Sequence, residues 1–260
     1  MKQILVAAPH PDDDIIACGG SIAKHCQAGN EVTIVYLTSG DAGGIEYDKD
    51  ELAALRETEA RQAAALLGVN NLNFLKIADG YIEFNRENLI RITSLIRAIK
   101  PHTVYIPHER DGCRDHRETH HLLREACKRA GEPFFPECGR EPWSVDTILG
   151  YEVWTPIEEI TYIEDISTFI DRKLTAIQKH HSQLQYYRYD EAVKGLNRYR
   201  GIMTGKGDYC EAFQLIKYSV QEIDFIMASD LKNSTILMIT PFHKNPRGNK
   251  LTSERLQTGL

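Results

Sequence analysis

The chain opens with Ile4-Leu5-Val6-Ala7-Ala8, a continuous apolar run that ends at Pro9. Such a run is typical of a parallel strand that is buried on both faces. A loop is expected after it, and Gly19-Gly20 then leads into a helix predicted at 21–26. A second strand, rich in β-branched residues, is predicted at 32–37. Strand, helix and strand together indicate a βαβ unit.

The same alternation continues along the chain. Helices are predicted at 51–67, 86–99, 116–129 and 166–179, and strands at 72–75, 103–106, 147–154 and 212–216. This pattern predicts an α/β fold, a Rossmann-like three-layer sandwich with a mostly parallel central sheet.

The length of 260 residues suits one large domain. No low-complexity linker divides the chain, so we expect one domain over 1–218. A C-terminal extension over 219–260 is expected to pack on this domain or to form an oligomer contact. Within it, 233–240 is compatible with an extra strand or with an oligomer contact, and the sequence does not choose between them.

Composition excludes several classes of protein. With 31 Lys and Arg against 37 Asp and Glu, the net charge is −6, which does not favour a nucleic-acid partner. No stretch approaches the ~20 apolar residues of a membrane span. The six cysteines form no C-x-x-C pair, which is typical of reduced thiols in a cytoplasmic protein.

The most informative polar residues follow the first predicted strand. His10, Asp12, Asp13 and Asp14 lie within five residues, at the strand end where open α/β sheets bind ligands. Imidazole and carboxylate groups are both zinc ligands, so this loop is a candidate metal site. A solvated acidic turn that caps the next helix would explain the same residues.

A second polar cluster follows the strand predicted at 103–106 and covers 110–121. Because both clusters follow strands of one sheet, they are expected to face one crevice, and this one would supply the third ligand of a catalytic zinc. Asp115 is expected to cap the helix or to orient a ligand. His120 and His121 are expected to be exposed helix residues. Neither G-x-G-x-x-G nor G-x-x-x-x-G-K-[ST] occurs, which argues against a nucleotide-binding protein.

An ordered series of motifs resembles the PIG-L/LmbE-like zinc-dependent N-deacetylases, over roughly residues 3–216. The matching motifs are Ala7-Ala8-Pro9-His10-Pro11-Asp12-Asp13-Asp14, Cys18-Gly19-Gly20, Leu37-Thr38-Ser39-Gly40, Arg56-Glu57-Thr58-Glu59-Ala60, Asp115-His116-Arg117, His180-His181-Ser182-Gln183, Tyr199-Arg200-Gly201 and Tyr209-Cys210-Glu211-Ala212-Phe213.

The resemblance implies roles for particular residues. His10, Asp13 and His116 match the metal ligands, and Asp12 matches the general base. Arg56 and Asp79 fall where such enzymes hold substrate hydroxyls.

The resemblance also implies one Zn²⁺ per chain, a small amino-sugar substrate that loses an N-acetyl group, and a homo-oligomer. Other divalent transition metals also suit a His₂Asp site. Three alternatives stay open: a metal-dependent hydrolase of another bond, a non-catalytic binding protein, and a relative that has lost catalysis.

Two positions depart from the family pattern. Asp14 stands where the family usually has Glu, which is expected to alter only a contact behind the ligands. Cys113 stands where the family commonly has the histidine that stabilises the oxyanion, and a thiol is a weak donor. Either His108, Arg114 or His180 enters the site instead, or the metal carries more of the stabilisation; Cys113 is otherwise a small packed residue.

Overall fold

A computed structural model describes residues 1–139 and 141–218. The strands in this part of the chain are β1 (Gln3–Ala8), β2 (Glu31–Thr38), β3 (Asn71–Ile77), β4 (Thr103–Pro107), β5 (Thr147–Tyr151), β6 (Tyr162–Asp165) and β7 (Cys210–Lys217). The α-helices are α1 (Asp13–Gln27), α2 (Lys49–Leu67), α3 (Arg86–Ile99), α4 (Arg114–Ala130), α5 (Ile170–Ile177), α6 (His181–Leu184) and α7 (Tyr189–Thr204). The expected extension over 219–260, with the candidate strand at 233–240, lies outside the described residues.

The strands form one seven-stranded sheet in the order β3-β2-β1-β4-β5-β7-β6. The first five strands of this order pair in parallel, and β7 runs antiparallel to both β5 and β6. The predicted mostly parallel sheet is therefore confirmed, with an antiparallel edge.

Burial of β1 on both faces explains its apolar composition. Ile4, Val6 and Ala8 belong to one hydrophobic core, which α1, α2, α5 and α7 cover. Leu5 and Ala7 belong to a second core, which α3 and α4 cover. Alternate residues of one strand thus enter different cores, as the period of a strand requires. The predicted three-layer sandwich follows from this arrangement.

The first helix begins earlier than the sequence analysis predicts. Helix α1 starts at Asp13, because the Asp12 carbonyl accepts hydrogen bonds from the backbone N–H groups of Ile15 and Ile16, both at 3.0 Å. Asp13 and Asp14 therefore lie in its first turn, where the helix dipole favours acidic residues. Gly19 and Gly20 do not start the helix but allow close packing inside it. A Cβ atom on Gly20 would lie 2.6 Å from Ile166.

Strand order places a crevice at the end of β1. From β1 the chain continues to β2 and β3 on one side of the sheet, whereas β4 and β5 lie on the other side. Such a topological switch point is where open α/β sheets bind ligands, beyond the carboxyl ends of their strands. The loop after β1 and the loop after β4 both open into this position.

The second half of the chain departs most from the predicted elements. The strand predicted at 147–154 ends at Tyr151, and the helix predicted at 166–179 covers only Ile170–Ile177. Strand β6 and helices α6 and α7 were not predicted. Helix α7 buries only four of its sixteen residues, and three of these are Asn197, Arg200 and Gly201, so no apolar stripe marks its packed face.

Two expectations from composition concern the cysteines and a membrane span. The cysteines, all within the described residues, are free. Among the described helices, none combines the length and the apolar character that a membrane span needs.

Candidate metal centre and active-site cavity

His10 and Asp13 are held together at the start of α1. The His10 backbone N–H donates to Asp13 Oδ2 at 2.9 Å, and His10 Nδ1 lies 3.1 Å from the same oxygen. Pro9 and Pro11 flank His10, and the Pro9 carbonyl accepts a hydrogen bond from Thr38 N at 3.0 Å. The loop is therefore fixed to the end of β2 as well as to α1.

His116 reaches the same point from α4. Its ring is fully buried, and its Nε2 lies 3.2 Å from Asp13 Oδ2. The ring centroids of His10 and His116 are 5.4 Å apart. His10, Asp13 and His116 each offer one ligand atom, and these atoms lie within 4.8 Å of one another. The two clusters thus meet in one crevice, as the sequence analysis expects.

The residues present fit a divalent transition metal. Both ring nitrogens of His116 are buried. Each faces a carboxylate, Asp13 at 3.2 Å and Asp111 at 3.5 Å, but neither makes a well-aligned hydrogen bond among the described residues. Buried imidazole nitrogens in protein interiors are normally satisfied, so an orphaned pair indicates that another group belongs there. Two imidazoles and one carboxylate form a typical catalytic zinc set with a position left for water.

Charged neighbours shift the pKa values of the candidate metal ligands. Burial would lower the pKa of His116, but the carboxylates of Asp13 and Asp111 raise it to about 10. Burial would raise the pKa of Asp13, but His116 and His10 lower it well below its usual range. Oppositely charged groups in direct contact outweigh desolvation here.

A second set of carboxylates lies behind the two histidines. His10 Nε2 lies 3.1 Å from Asp79 Oδ1 and 3.4 Å from Asp115 Oδ2. His116 Nδ1 lies 3.5 Å from Asp111 Oδ1. Each imidazole therefore has one nitrogen towards Asp13 and the other towards a carboxylate, the arrangement that orients metal-binding histidines.

Asp111 has a larger structural role than the sequence indicates. Its side chain is buried, and it accepts hydrogen bonds from the backbone N–H groups of Cys113 at 2.9 Å, Trp154 at 3.1 Å and Thr155 at 3.3 Å. It thereby joins the loop after β4 to the loop after β5. Asp111 lies within the second polar cluster, but the sequence indicates no role for it, because Trp154 and Thr155 lie 43 and 44 residues further along the chain.

Asp115 and Asp79 also fix local backbone. Asp115 accepts hydrogen bonds from Gly80 N at 2.8 Å and Ile82 N at 3.4 Å. Asp79 accepts one from Ala42 N at 3.0 Å and lines the cavity beside His10. The predicted orienting role of Asp115 is compatible with this position. The predicted contact of Asp79 with substrate stays a prediction.

Asp12 and Arg56 form an ion pair at the cavity wall. Arg56 Nη2 lies 3.2 Å from Asp12 Oδ1, and Arg56 Nη1 donates to the Gly40 carbonyl at 3.2 Å. Burial raises the pKa of Asp12, and the Arg56 charge opposes this shift. Arg56, the residue predicted to bind substrate, is almost fully buried and holds Asp12 through this ion pair.

Asp14 lies away from the cavity. It is fully buried and accepts a hydrogen bond from the Tyr36 hydroxyl at 3.0 Å, on the side of β2. Burial raises the pKa of Asp14 to about 8. Asp14 was expected to stand behind the metal ligands, but it contacts the sheet instead.

The four candidates for an oxyanion donor differ in whether they line the cavity and in what they contact. Cys113 lines the cavity at the N-terminal cap of α4. His108 Nε2 is 2.8 Å from the Thr155 carbonyl oxygen and is buried. Arg114 is exposed and does not line the cavity. His180 is buried behind Arg56, and both its ring nitrogens lack a hydrogen-bond partner among the described residues.

Burial and the nearby Arg56 charge lower the pKa of His180 to about 3, so its imidazole is neutral.

The expectation that His120 is exposed is wrong, since its side chain is buried. It packs inward because its Nδ1 lies 2.9 Å from the Pro107 carbonyl oxygen. His121 is exposed, as expected.

The cavity around the metal centre has a volume of about 700 Å³. Its lining residues are His10, Asp12, Asp13, Ala42, Gly43, Gly44, Ile45, Arg56, Asp79, Gly112, Cys113, Trp154, Gln183, Tyr186, Tyr187 and Tyr189. Trp154, Tyr187 and Tyr189 form an aromatic cluster with ring centroids 5.6–6.3 Å apart. The sequence assigns these rings no role, because tyrosines in an ordinary core or surface would explain Tyr187 and Tyr189 equally well.

Fold and site together define a class: α/β proteins that gather two histidines and an aspartate, with a further carboxylate beside them, at the switch point of a parallel sheet. The family model described as "PIG-L: GlcNAc-PI de-N-acetylase" matches residues 5–127. The chain is 31% identical over 228 residues to a relative from Thermococcus kodakarensis named diacetylchitobiose deacetylase, covering 83% of this chain and 84% of that one. It belongs to the PIG-L family.

Two further similarities agree with this membership. The chain is 30% identical over 186 residues to a 1D-myo-inositol 2-acetamido-2-deoxy-alpha-D-glucopyranoside deacetylase from Rhodococcus erythropolis, covering 60% of this chain and 62% of that relative. The solved structure of N,N'-diacetylchitobiose deacetylase from Pyrococcus horikoshii matches with a TM-score of 0.76 and 28% identity. That match covers 85% of this chain and 88% of the other.

Proposed function

We propose that this protein is a metal-dependent amide hydrolase that removes the N-acetyl group from an N-acetylglucosamine-containing or related amino-sugar compound. One observation carries the proposal. His10, Asp13 and His116 bring ligand atoms within 4.8 Å of one another, and Asp12 lines the same cavity. The relatives named above act, by their names, on acetylated amino sugars.

In this proposal His10, Asp13 and His116 hold one Zn²⁺. When bound, zinc lowers the pKa of a coordinated water towards ~7 and polarises the acetyl carbonyl. Asp79 and Asp115 orient His10 from behind, and Asp111 orients His116.

Asp12 moves the proton of the reaction. As water adds to the acetyl carbon, Asp12 takes its proton and then donates it to the sugar nitrogen while the C–N bond breaks. The products are acetate and a free amine. Arg56 keeps the Asp12 carboxylate in place through the ion pair at 3.2 Å.

Cys113 leaves the oxyanion with a weak donor on the protein side. Its thiol lines the cavity at the position where the family commonly has a histidine. Among the candidate replacements, His108 is committed to Thr155, and neither Arg114 nor His180 lines the cavity. A metal held by His10, Asp13 and His116 would therefore supply most of the stabilisation of the negative charge.

The aromatic cluster indicates how a sugar is held. Trp154 and Tyr187 line the cavity and remain about half exposed, at 49% and 61% of their surface. Exposed rings beside a polar site offer apolar faces to a pyranose ring, and tyrosine hydroxyls offer donors to its oxygens. A substrate with a second sugar or a similar group next to the acetylated ring fits this cavity.

The proposal extends to the setting in which the enzyme works. We propose a cytoplasmic, homo-oligomeric enzyme, in keeping with its free cysteines and with the resemblance to its family.

Substitution of Asp12 by Asn tests the mechanism. Asp12→Asn removes the proton acceptor and keeps the side-chain size, so we expect full metal content and a loss of about 10²–10⁴-fold in kcat. The assay measures release of amine and acetate from N-acetylglucosamine and N,N'-diacetylchitobiose. Asp50→Asn, an exposed aspartate on α2, serves as the matched control and should retain parental activity. Parental turnover in Asp12→Asn would remove Asp12 from the mechanism.

A further inference from the structure

A second group of metal-ligating side chains lies where the loop after β4 meets α4. Glu109, His120 and His121 each offer one ligand atom, and these atoms lie within 4.8 Å of one another. None of the three lines the active-site cavity. Glu109 and His121 are exposed, whereas His120 is only 2% exposed.

His120 is an unusual histidine for the face of a helix. Its Nδ1 is 2.9 Å from the Pro107 carbonyl oxygen, which can only accept, so Nδ1 carries the proton and donates. The neutral ring then has its lone pair on Nε2. That nitrogen is buried and has no hydrogen-bond partner in the part of the chain that the structure describes.

This arrangement is the one found at metal sites. A histidine that binds a metal usually donates its other ring N–H to a carboxylate or a backbone carbonyl, which fixes the ring and its tautomer. Burial lowers the pKa of His120, so the imidazole is in the neutral form that a metal requires. Glu109 adds a carboxylate and His121 a second imidazole.

We infer that Glu109, His120 and His121 bind a second divalent transition metal, of which Zn²⁺ is the best fit. Two imidazoles and one carboxylate are ligand types that Zn²⁺ takes at tetrahedral sites. Glu109 and His121 are exposed, whereas Asp13 and His116 are buried, so we expect binding to be weaker than at the first centre.

The position of this second site suggests what it does. His116 and His120 are one turn apart on α4, and the loop from Glu109 carries Asp111 and Cys113 into the active site. A metal that joins Glu109 to His120 and His121 fixes this loop to the helix that carries His116. The second metal is therefore structural, and it does not depend on the deacetylase activity proposed above.

The test counts zinc ions on the full chain. Protein stripped with a chelator is dialysed against a series of free Zn²⁺ concentrations, and bound zinc is measured by elemental analysis. We expect two equivalents per chain in the parental protein, the weaker of which is lost in His121→Ala and in Glu109→Gln. His181→Ala should keep both, since His181 is likewise an exposed histidine that follows a buried one but belongs to none of the metal-ligating groups in the described residues.

Two further measurements separate this site from the first. His116→Ala should lose the tighter equivalent and keep the weaker one. Occupation of the weaker site should raise the Tm of the parental protein but not that of His121→Ala. A single equivalent in the parental protein, or two equivalents in folded His121→Ala, would overturn the second site. The first result would leave the proposed deacetylase centre intact.

Discussion

At the scale of single residues, the site depends on which partner each carboxylate contacts. Asp13 faces both histidines, Asp12 is paired with Arg56, and Asp14 contacts Tyr36 on β2. Three consecutive acids thus have three different surroundings. Their order along the chain does not distinguish them, and the resemblance alone assigned separate roles to Asp12 and Asp13.

Cys113 gives the sharpest prediction at this scale. A true oxyanion donor is worth about 10²–10³-fold in kcat, whereas a thiol donates weakly. We therefore expect Cys113→Ala to change kcat for amine release by less than about tenfold, with metal content unchanged. A loss of 10²-fold or more would show that the thiol has a direct part in catalysis.

At the scale of elements, the meeting of two loops was predictable and the packing around them was not. The ends of β1 and β4 lie at one edge of the sheet because both strands are parallel, so His10 and His116 were expected to converge. The role of Asp111 and the cavity wall formed by Trp154, Tyr187 and Tyr189 come from contacts between distant segments. No period or spacing in the sequence encodes such contacts.

The start of α1 shows a different limit. Asp12, Asp13 and Asp14 suggest a loop by their polarity, and Gly19-Gly20 suggests a helix boundary. The structure starts the helix at Asp13 and continues it through Gly19-Gly20. Close contacts with Lys173 and Ile166 explain why these two positions are glycine. Tertiary packing overrides local propensity in this segment.

Gly40, in the loop after β2, leads to a prediction about stability and activity. Gly40 has a φ of +70°, and a Cβ atom there would lie 2.5 Å from the Arg56 guanidinium. Gly40→Ala should therefore destabilise the fold by about 1–3 kcal/mol in urea unfolding and should also lower kcat by displacing Arg56 from Asp12. Gly29→Ala is the matched control, because Gly29 has a φ of +75° but nothing within 4 Å of an added Cβ. Equal losses in both variants, with activity retained, would contradict a steric role for Gly40.

At the scale of the whole molecule, several residues of the family motifs hold distant elements together. Glu59 on α2 accepts hydrogen bonds from Ser182 N and Oγ at 2.8 and 2.6 Å. Glu211 on β7 pairs with the buried Lys173 at 2.6 Å. These motifs predicted the family, but their structural roles follow only from the fold. Buried charges of this kind require partners.

A partly buried histidine on α1, His25, makes the stability of the molecule depend on pH. Burial and the charge of Lys24 lower the pKa of His25 to about 4, and its Nε2 lies 2.9 Å from the Tyr105 hydroxyl. The unfolded chain, with a histidine pKa near ~6.5, binds more protons than the folded one between those values, so stability falls as pH drops through this window.

A comparison of two variants measures this effect. Relative to His25→Gln, the parental protein should lose on the order of 1–2 kcal/mol of unfolding free energy between pH 7.5 and pH 5 in urea titrations. Parallel curves for the parental protein and His25→Gln would rule out a neutral His25 in the folded protein.

The central claim is that His10, Asp13 and His116 hold the metal at which an acetylated amino sugar is hydrolysed. The most direct measurement titrates chelator-stripped protein with Zn²⁺ and follows amine release from N,N'-diacetylchitobiose. We predict that activity is absent without metal, rises to its maximum at one equivalent per chain and stays absent in His116→Ala. Full activity in the metal-free protein or in His116→Ala would contradict the account.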